Sequence, residues 1–229
     1  MTVPLEKKEK LITACRILDK LDILDDLGHF SVRCGDGNQI LINSAMAPGQ
    51  VTIDDLILIG LDGSRIEGEK RAEQETLLHL AVYQKRPDVM AIVHTHSPMV
   101  ITLSIAGIKL KAVENMGAII FPSEVPMFEK YGLVVDMDQA CEVAETMGMN
   151  NVVVLRGHGN LVVGASIEEA CVTAFYTERC ARFQYQAVLI GGAFPFPERD
   201  RKKMRKDFAN GNAIKRSWNY FEWMLNKST

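Results

Sequence analysis

The chain has 229 residues, a formal net charge of −3, 47% hydrophobic residues and 24% charged residues. That balance suits a globular domain large enough to bury its core without staples, and it supplies no global positive field to draw nucleic acid. The polar start MTVPLEKKEK argues against a signal peptide, no apolar run reaches the ~18–20 residues of a membrane span, and five cysteines without a CxxC pair fit free thiols in a reducing cytoplasm.

Leu11, Ala14, Cys15, Leu18, Leu21 and Leu24 recur at helical spacing and predict an amphipathic helix over 5–27, punctuated by Gly28. HFSVRC (29–34) alternates as a strand. DGN (36–38) is a turn signal, and QILINS then reads as the returning strand. DLILIG (55–60) followed by LDG (61–63) predicts a further strand and turn. Residues 72–86 read as a helix ended by Pro87. VMAIVHTH is a buried strand, and a short helix follows Pro98.

Residues 107–135 mix apolar residues with prolines and are expected to form a loop with short extended pieces. A helix over 138–148 begins at Asp136 or Asp138. NVVVLRGHGNLVVG (151–164) predicts two apolar strands flanking a glycine-histidine-glycine turn. Ser166 and Glu169 form a capping-box pattern for a helix over about 167–190. A charged helical tail starts at about Pro197, and its basic run RDRKKMRK (199–206) reads as a solvated helix face rather than a nucleic-acid site. Strands alternate with helices, yet several are joined by hairpins. The expected architecture is therefore one α/β domain over 1–229 with an at least partly antiparallel sheet.

His94 and His96 stand at i and i+2 at the end of an apolar strand, so both project from one face and could hold one ion. His158 sits between two glycines where two core-like strands meet, at an end of the sheet. Three protein ligands with an open position is a common catalytic metal arrangement, and His94, His96 and His158 would supply it. Glu75 opens the helix that carries His79. Taken alone, that glutamate is a routine favourable charge at a helix start. His79, among Leu77, Leu78, Leu80 and Ala81, reads as a packed or hydrogen-bonded histidine rather than a ligand.

Taken in order, Glu75-xxx-His79, Tyr83, RPDV (86–89), HTHSP (94–98) and RGHG (156–159) with Val163-Gly164 resemble the class II aldolase/adducin superfamily, over about residues 8–195. The resemblance implies a three-layer α/β sandwich, with a central and largely antiparallel sheet covered by helices, and assembly as a homotetramer. It also implies one divalent metal ion per subunit (zinc, manganese, magnesium or cobalt) on His94, His96 and His158, with Glu75 as the catalytic acid or base or, alternatively, as a fourth ligand in the empty site. Epimerases of the family carry aspartate at the position of Glu75. Sugar-phosphate members carry a GNxS turn and a Ser-Ser pair that cradle the phosphate. Here those positions are Gly28-His29-Phe30-Ser31 and Glu73-Gln74, and Glu73 would repel a phosphate dianion.

GHxSVR, RPDV, VVLRGHG and Tyr176-Thr177-Glu178-Arg179-Cys180-Ala181-Arg182 resemble most the decarboxylase branch, which acts on hydroxylated aromatic or pyridine dicarboxylates and carboxylated semialdehydes. Arg33 and Arg71 are candidate carboxylate partners. His29, Ser31 and Ser44 are candidates for the substrate pocket, and Tyr220 is a candidate to reach a substrate across a subunit interface. The expected activity is metal-dependent decarboxylation of a hydroxy- or keto-carboxylate through an enolate stabilised by the ion. The alternatives are aldol cleavage of a non-phosphorylated hydroxy or keto acid, and a non-catalytic adducin-like interaction domain. Neither nucleic acid nor membrane is expected as a partner.

Overall fold

The computed structural model describes residues 3–121, 124–208 and 210–227. Helix α1 (Leu5–Lys20) leads into β1 (His29–Cys34), β2 (Gln39–Asn43), β3 (Leu56–Gly60) and the short β4 (Arg65–Glu67). Next come α2 (Thr76–Lys85), β5 (Ala91–Thr95), α3 (Pro98–Ile105), α4 (Asn115–Ile120) and β6 (Met127–Phe128). The chain continues through α5 (Met137–Met147), β7 (Val152–Leu155), β8 (Gly159–Gly164), α6 (Ile167–Leu189), α7 (Glu198–Asp207) and α8 (Asn212–Lys227).

The strands make one eight-stranded sheet in the order β4-β3-β2-β1-β5-β8-β7-β6. Every pairing is antiparallel except β6 with β7. Apolar side chains leave both faces, which is why the central strands read as near-continuous Val/Ile/Leu runs. On one face Phe30, Val32, Ala91, Val93 and Val162 pack with α1, α3, α6 and α8 residues such as Leu18, Val100, Cys171 and Phe221. On the other, Ile40, Ile57, Ile92, Val153 and Leu161 pack with Leu78, Tyr83 and Val143 of α2 and α5. The three-layer, largely antiparallel architecture is as expected. Each fully buried Leu or Ile contributes ~1.5–3 kcal/mol to holding these layers together.

Several boundaries differ from the sequence expectation for identifiable reasons. Helix α1 stops at Lys20 rather than near residue 27, because Asp22 adopts the left-handed conformation (φ 59°). Helix α2 starts at Thr76 rather than residue 72, which frees Glu75 from the helical ladder. Helix α4 lies inside the segment expected to be loop. Glu114 caps it, accepting the Met116 and Gly117 N–H groups. The expectation of loop at 122–123 falls outside the described residues. Asp136 caps α5, accepting the Gln139 N–H. At the start of α6, Ser166 accepts the Glu169 N–H as the capping box requires, but the Glu169 carboxylate reaches back to the Ala165 N–H instead of that of Ser166. In α7 the basic run is not uniformly solvated. Arg201 is buried and donates to the Phe196 carbonyl, and Arg205 donates to the Ala118 and Phe121 carbonyls. No helix among the described residues is long and apolar enough to cross a membrane.

Candidate metal centre

Strand β5 lies between β1 and β8, in the middle of the sheet. Its Ala91 and Val93 face the α6 side, so Ile92 and His94 face α2. His94 is fully buried and stands directly opposite His29 on β1 and Leu161 on β8. His96, just past the strand, returns to the same side, and its Nε2 lies 3.1 Å from His94 Nε2.

The hairpin joining β7 and β8 brings His158 to the same point. Its two glycines serve different needs. Gly157 adopts φ 69°, a conformation that favours glycine. Gly159 passes so close to β5 that an added Cβ would lie 2.2 Å from the Thr95 carbonyl oxygen. The His158 ring stacks on His96 with centroids 5.3 Å apart and meets His94 edge-on at 4.9 Å.

Glu75 occupies the N-cap position of α2 but makes no capping bond. One carboxylate oxygen accepts the Val134 N–H at 2.9 Å. The other lies 3.3 Å from His158 Nε2 and 3.5 Å from His94 Nε2. The ligand atoms of Glu75, His94, His96 and His158 all fall within 4.8 Å of one another.

The residues fit a divalent cation. His158 Nε2 is buried with no well-aligned hydrogen bond, its near neighbour being the Glu75 carboxylate at 3.3 Å, and the His94 and His96 Nε2 atoms face each other at 3.1 Å. Without a cation such atoms are costly to bury. Three imidazoles and a carboxylate are the donors that zinc, manganese, iron or cobalt take.

The charges follow the surroundings. Burial opposes ionisation of Glu75, but the His158 and His94 rings and the Val134 N–H outweigh it and hold the carboxyl well below its ordinary range. Burial depresses His94. Burial also works against charge on His96, but the Asp25 carboxylate at 2.8 Å from its Nδ1 wins, and His96 is raised. Burial would raise Asp25, yet His96 and the neighbouring N–H groups lower it. Asp25 is a site residue that sequence reading missed. It belongs to no periodic pattern, and its one signal is the acidic pair Asp25-Asp26 just ahead of Gly28-His29.

A cleft of about 520 Å³ opens beside this cluster, lined by His29, Arg71, Glu73, Gln74, Glu75 and His96 among others. Burial raises the Glu73 carboxyl, with Arg71 opposing it. His29 and Arg71, two of the candidates for substrate contact, both line this cleft. Arg33, Ser31 and Ser44 do not line this cleft, and Tyr220 lies away from the cleft of its own chain. Arg33 is on the His29 face of β1, but its guanidinium donates to the main-chain carbonyls of Val89, Gly37, Tyr83 and Arg86, which makes it a brace for the α2–β5 connection. Ser31 lies one layer below the cleft, bonded to His79 and Tyr83. Ser44 is buried, its hydroxyl has no hydrogen-bond partner, and it does not line the cleft. Tyr220 is half exposed on α8, stacked on Trp223 in a separate groove with Tyr176 and Arg179. His79 is hydrogen-bonded through both ring nitrogens, as its apolar setting suggested, and burial together with the nearby His94 lowers it to about 3.

Residues 9–185 match the class II aldolase and adducin N-terminal domain family. The chain is 31% identical over 215 residues to a 3,4-dihydroxyphthalate decarboxylase of Arthrobacter keyseri, covering 86% of this chain and 85% of that protein. It is 34% identical over 158 residues to a 5-deoxy-D-ribulose 1-phosphate aldolase of Bacillus thuringiensis serovar kurstaki, covering 68% of this chain and 72% of that protein. Among solved structures, L-fuculose 1-phosphate aldolase of Glaciozyma antarctica shares the fold with a TM-score of 0.84 at 23% identity, over 97% of this chain and 89% of that one. With the matched segment spanning most of its length and decarboxylases and aldolases as relatives, the chain belongs to the class II aldolase and adducin family, as a lyase.

Proposed function

We propose that the protein is a divalent-metal-dependent decarboxylase of a hydroxy- or keto-carboxylate, an aromatic dicarboxylate above all, with His94, His96 and His158 as metal ligands and Glu75 as the proton-transfer group. The observation that carries the reading is the convergence of those four side chains on one point at the wall of a cleft that also holds Arg71. A bound divalent ion supplies Lewis acidity and a template for a chelating substrate oxygen.

The protein's own residues do the rest. Arg71, whose guanidinium suits a carboxylate, holds an acidic group of the substrate in the cleft. Glu75, ionised in the resting site, takes a proton from a substrate hydroxyl. Loss of CO2 breaks the C–C bond, and the electron pair remains with the substrate, delocalised toward its oxygen. Glu75 then returns the proton to the carbon that lost the carboxylate. Glu73 and Glu75 against the one Arg71 make the cleft a poor phosphate cradle, which favours carboxylate over sugar phosphate.

The dihydroxyphthalate decarboxylase relative supports this choice. Glu75 in the same role would serve aldol cleavage of a non-phosphorylated hydroxy acid, and the aldolase relative supports that second reading. Incubating metal-loaded protein with 3,4-dihydroxyphthalate and with other hydroxylated dicarboxylates separates them. Release of CO2 supports the decarboxylase, whereas release of an aldehyde from a hydroxy acid with no CO2 from any dicarboxylate supports the aldolase. A cytoplasmic homotetramer completes the proposal, supported by free cysteines and by the apolar Leu27, Tyr131 and Leu133 exposed around the cleft. Light scattering of the purified protein tests the oligomer.

A further inference from the structure

Four buried groups form one hydrogen-bonded line that ends at the cleft. The Tyr83 hydroxyl lies 3.0 Å from Ser31 Oγ, Ser31 Oγ lies 2.6 Å from His79 Nδ1, and His79 Nε2 lies 2.8 Å from His29 Nδ1. None of the four residues is more than 1% exposed. Two elements assemble the line. His29 and Ser31 are i, i+2 neighbours on the inner face of β1, and His79 and Tyr83 are i, i+4 neighbours on α2.

Counting protons gives the line a direction. In their neutral forms each group carries one exchangeable proton, and three hydrogen bonds use three of the four. If the protons run outward, Tyr83 donates to Ser31, Ser31 donates to His79 Nδ1, and His79 Nε2–H donates to His29 Nδ1. The unused proton then sits on His29 Nε2, the ring edge left for the cleft that His29 lines. If they run inward, the unused proton is the Tyr83 hydroxyl hydrogen, for which Ser31 is the only acceptor among the described residues. An unmade hydrogen bond on a fully buried hydroxyl outweighs the small intrinsic difference between imidazole tautomers. Any arrangement with a proton on His79 Nδ1, a doubly protonated ring included, strands a buried hydroxyl proton in the same way: that of Tyr83, or that of Ser31 where Ser31 accepts from both neighbours.

We propose that Tyr83, Ser31 and His79 are positioning residues that lock His29 as an Nε2–H donor into the cleft, aimed at a substrate oxygen. The His29 ring lies 4.9 Å, centroid to centroid, from that of His94, so the donor stands beside the metal cluster. The line excludes His29 as a second base and leaves Glu75 as the proton acceptor. It selects ligands that present a carboxylate or an oxygen that gains negative charge, and it disfavours an ammonium at that place. Naming the acceptor as a substrate oxygen rests on the metal-and-carboxylate reading above. The tautomer itself rests only on the line.

The test is long-range 15N–1H NMR of the zinc-loaded protein carrying 15N-labelled histidine, with zinc content measured on the same sample. The expected spectrum has His29 protonated at Nε2 and bare at Nδ1. Ser31→Ala removes the polarity of the line and is expected to give His29 a mixture of both tautomers. A His29 proton on Nδ1, protons on both nitrogens, or an unchanged lock in Ser31→Ala would each overturn the proposal. Where that variant does not fold, the wild-type spectrum decides. A low zinc content with the expected tautomer would count against the metal reading alone.

Discussion

Asp25 holds His96 by its far nitrogen, with a carboxylate oxygen 2.8 Å from Nδ1, and so turns Nε2 toward His94 and the cluster. Nδ1 is therefore the donor and Nε2 the free lone pair, the division of labour found behind metal-binding histidines. Asp25→Ala is expected to weaken zinc or manganese binding by ~10–100-fold while leaving the fold intact. Competition against a chromogenic chelator measures it, and unchanged affinity would show that His96 needs no such partner.

His96→Ala and Glu75→Gln separate binding from chemistry. The first should lose metal, as read by elemental analysis, because one of three imidazole donors is gone. The second should retain it, since the three histidines remain, and should lose ~10²–10⁴ in turnover because the amide cannot exchange a proton. Full metal occupancy with normal turnover in His96→Ala would sink the proposed centre.

Acid should strip the metal. Each imidazole must be neutral to bind, so protons compete with the ion, and affinity falls as pH falls. His96, raised by Asp25, is protonated before His94, which burial depresses. Metal retention measured by equilibrium dialysis between about pH 8 and pH 5 should decline monotonically, and retention that improves toward acid would contradict imidazole ligation.

Arg33 and Arg71 should answer opposite assays. Arg33→Ala leaves the carbonyls of Val89, Gly37, Tyr83 and Arg86 without their donor and is expected to cost about 1–3 kcal/mol in denaturant unfolding. Arg71→Ala should leave the unfolding midpoint in place and raise KM for a carboxylate substrate. The reverse pattern would mean that the cleft has been assigned the wrong arginine.

Gly159→Ala tests the close approach of β8 to β5. A Cβ 2.2 Å from the Thr95 carbonyl oxygen has no flexible neighbour to yield. The hairpin must shift, with a loss of ~1–3 kcal/mol in stability and a weaker hold on metal through displaced His158. Thermal unfolding with and without metal reads both effects.

The strands were legible because β1, β2, β3, β5, β7 and β8 are apolar runs bounded by turn residues, and their pattern does not depend on distant contacts. All five histidines of the chain meet at one place, and the spacings around His94, His96 and His158 pointed there. What stayed hidden depends on geometry across elements. Asp25 reaches His96 from a loop 71 residues away in sequence, Arg33 turns to main-chain carbonyls that no spacing announces, and α4 is a six-residue helix among prolines.

Glu75 is also tied to the backbone, through the N–H of Val134. The neighbouring Leu133 is exposed at the cleft and Tyr131 is exposed close by, while Val134 itself is buried. A single amide thus couples the ordering of that segment to the state of the carboxylate. Its solvent-exchange rate would then serve as a clock for the site under the proposed role of Glu75: slow while the carboxylate accepts this N–H, fast once it is drawn away.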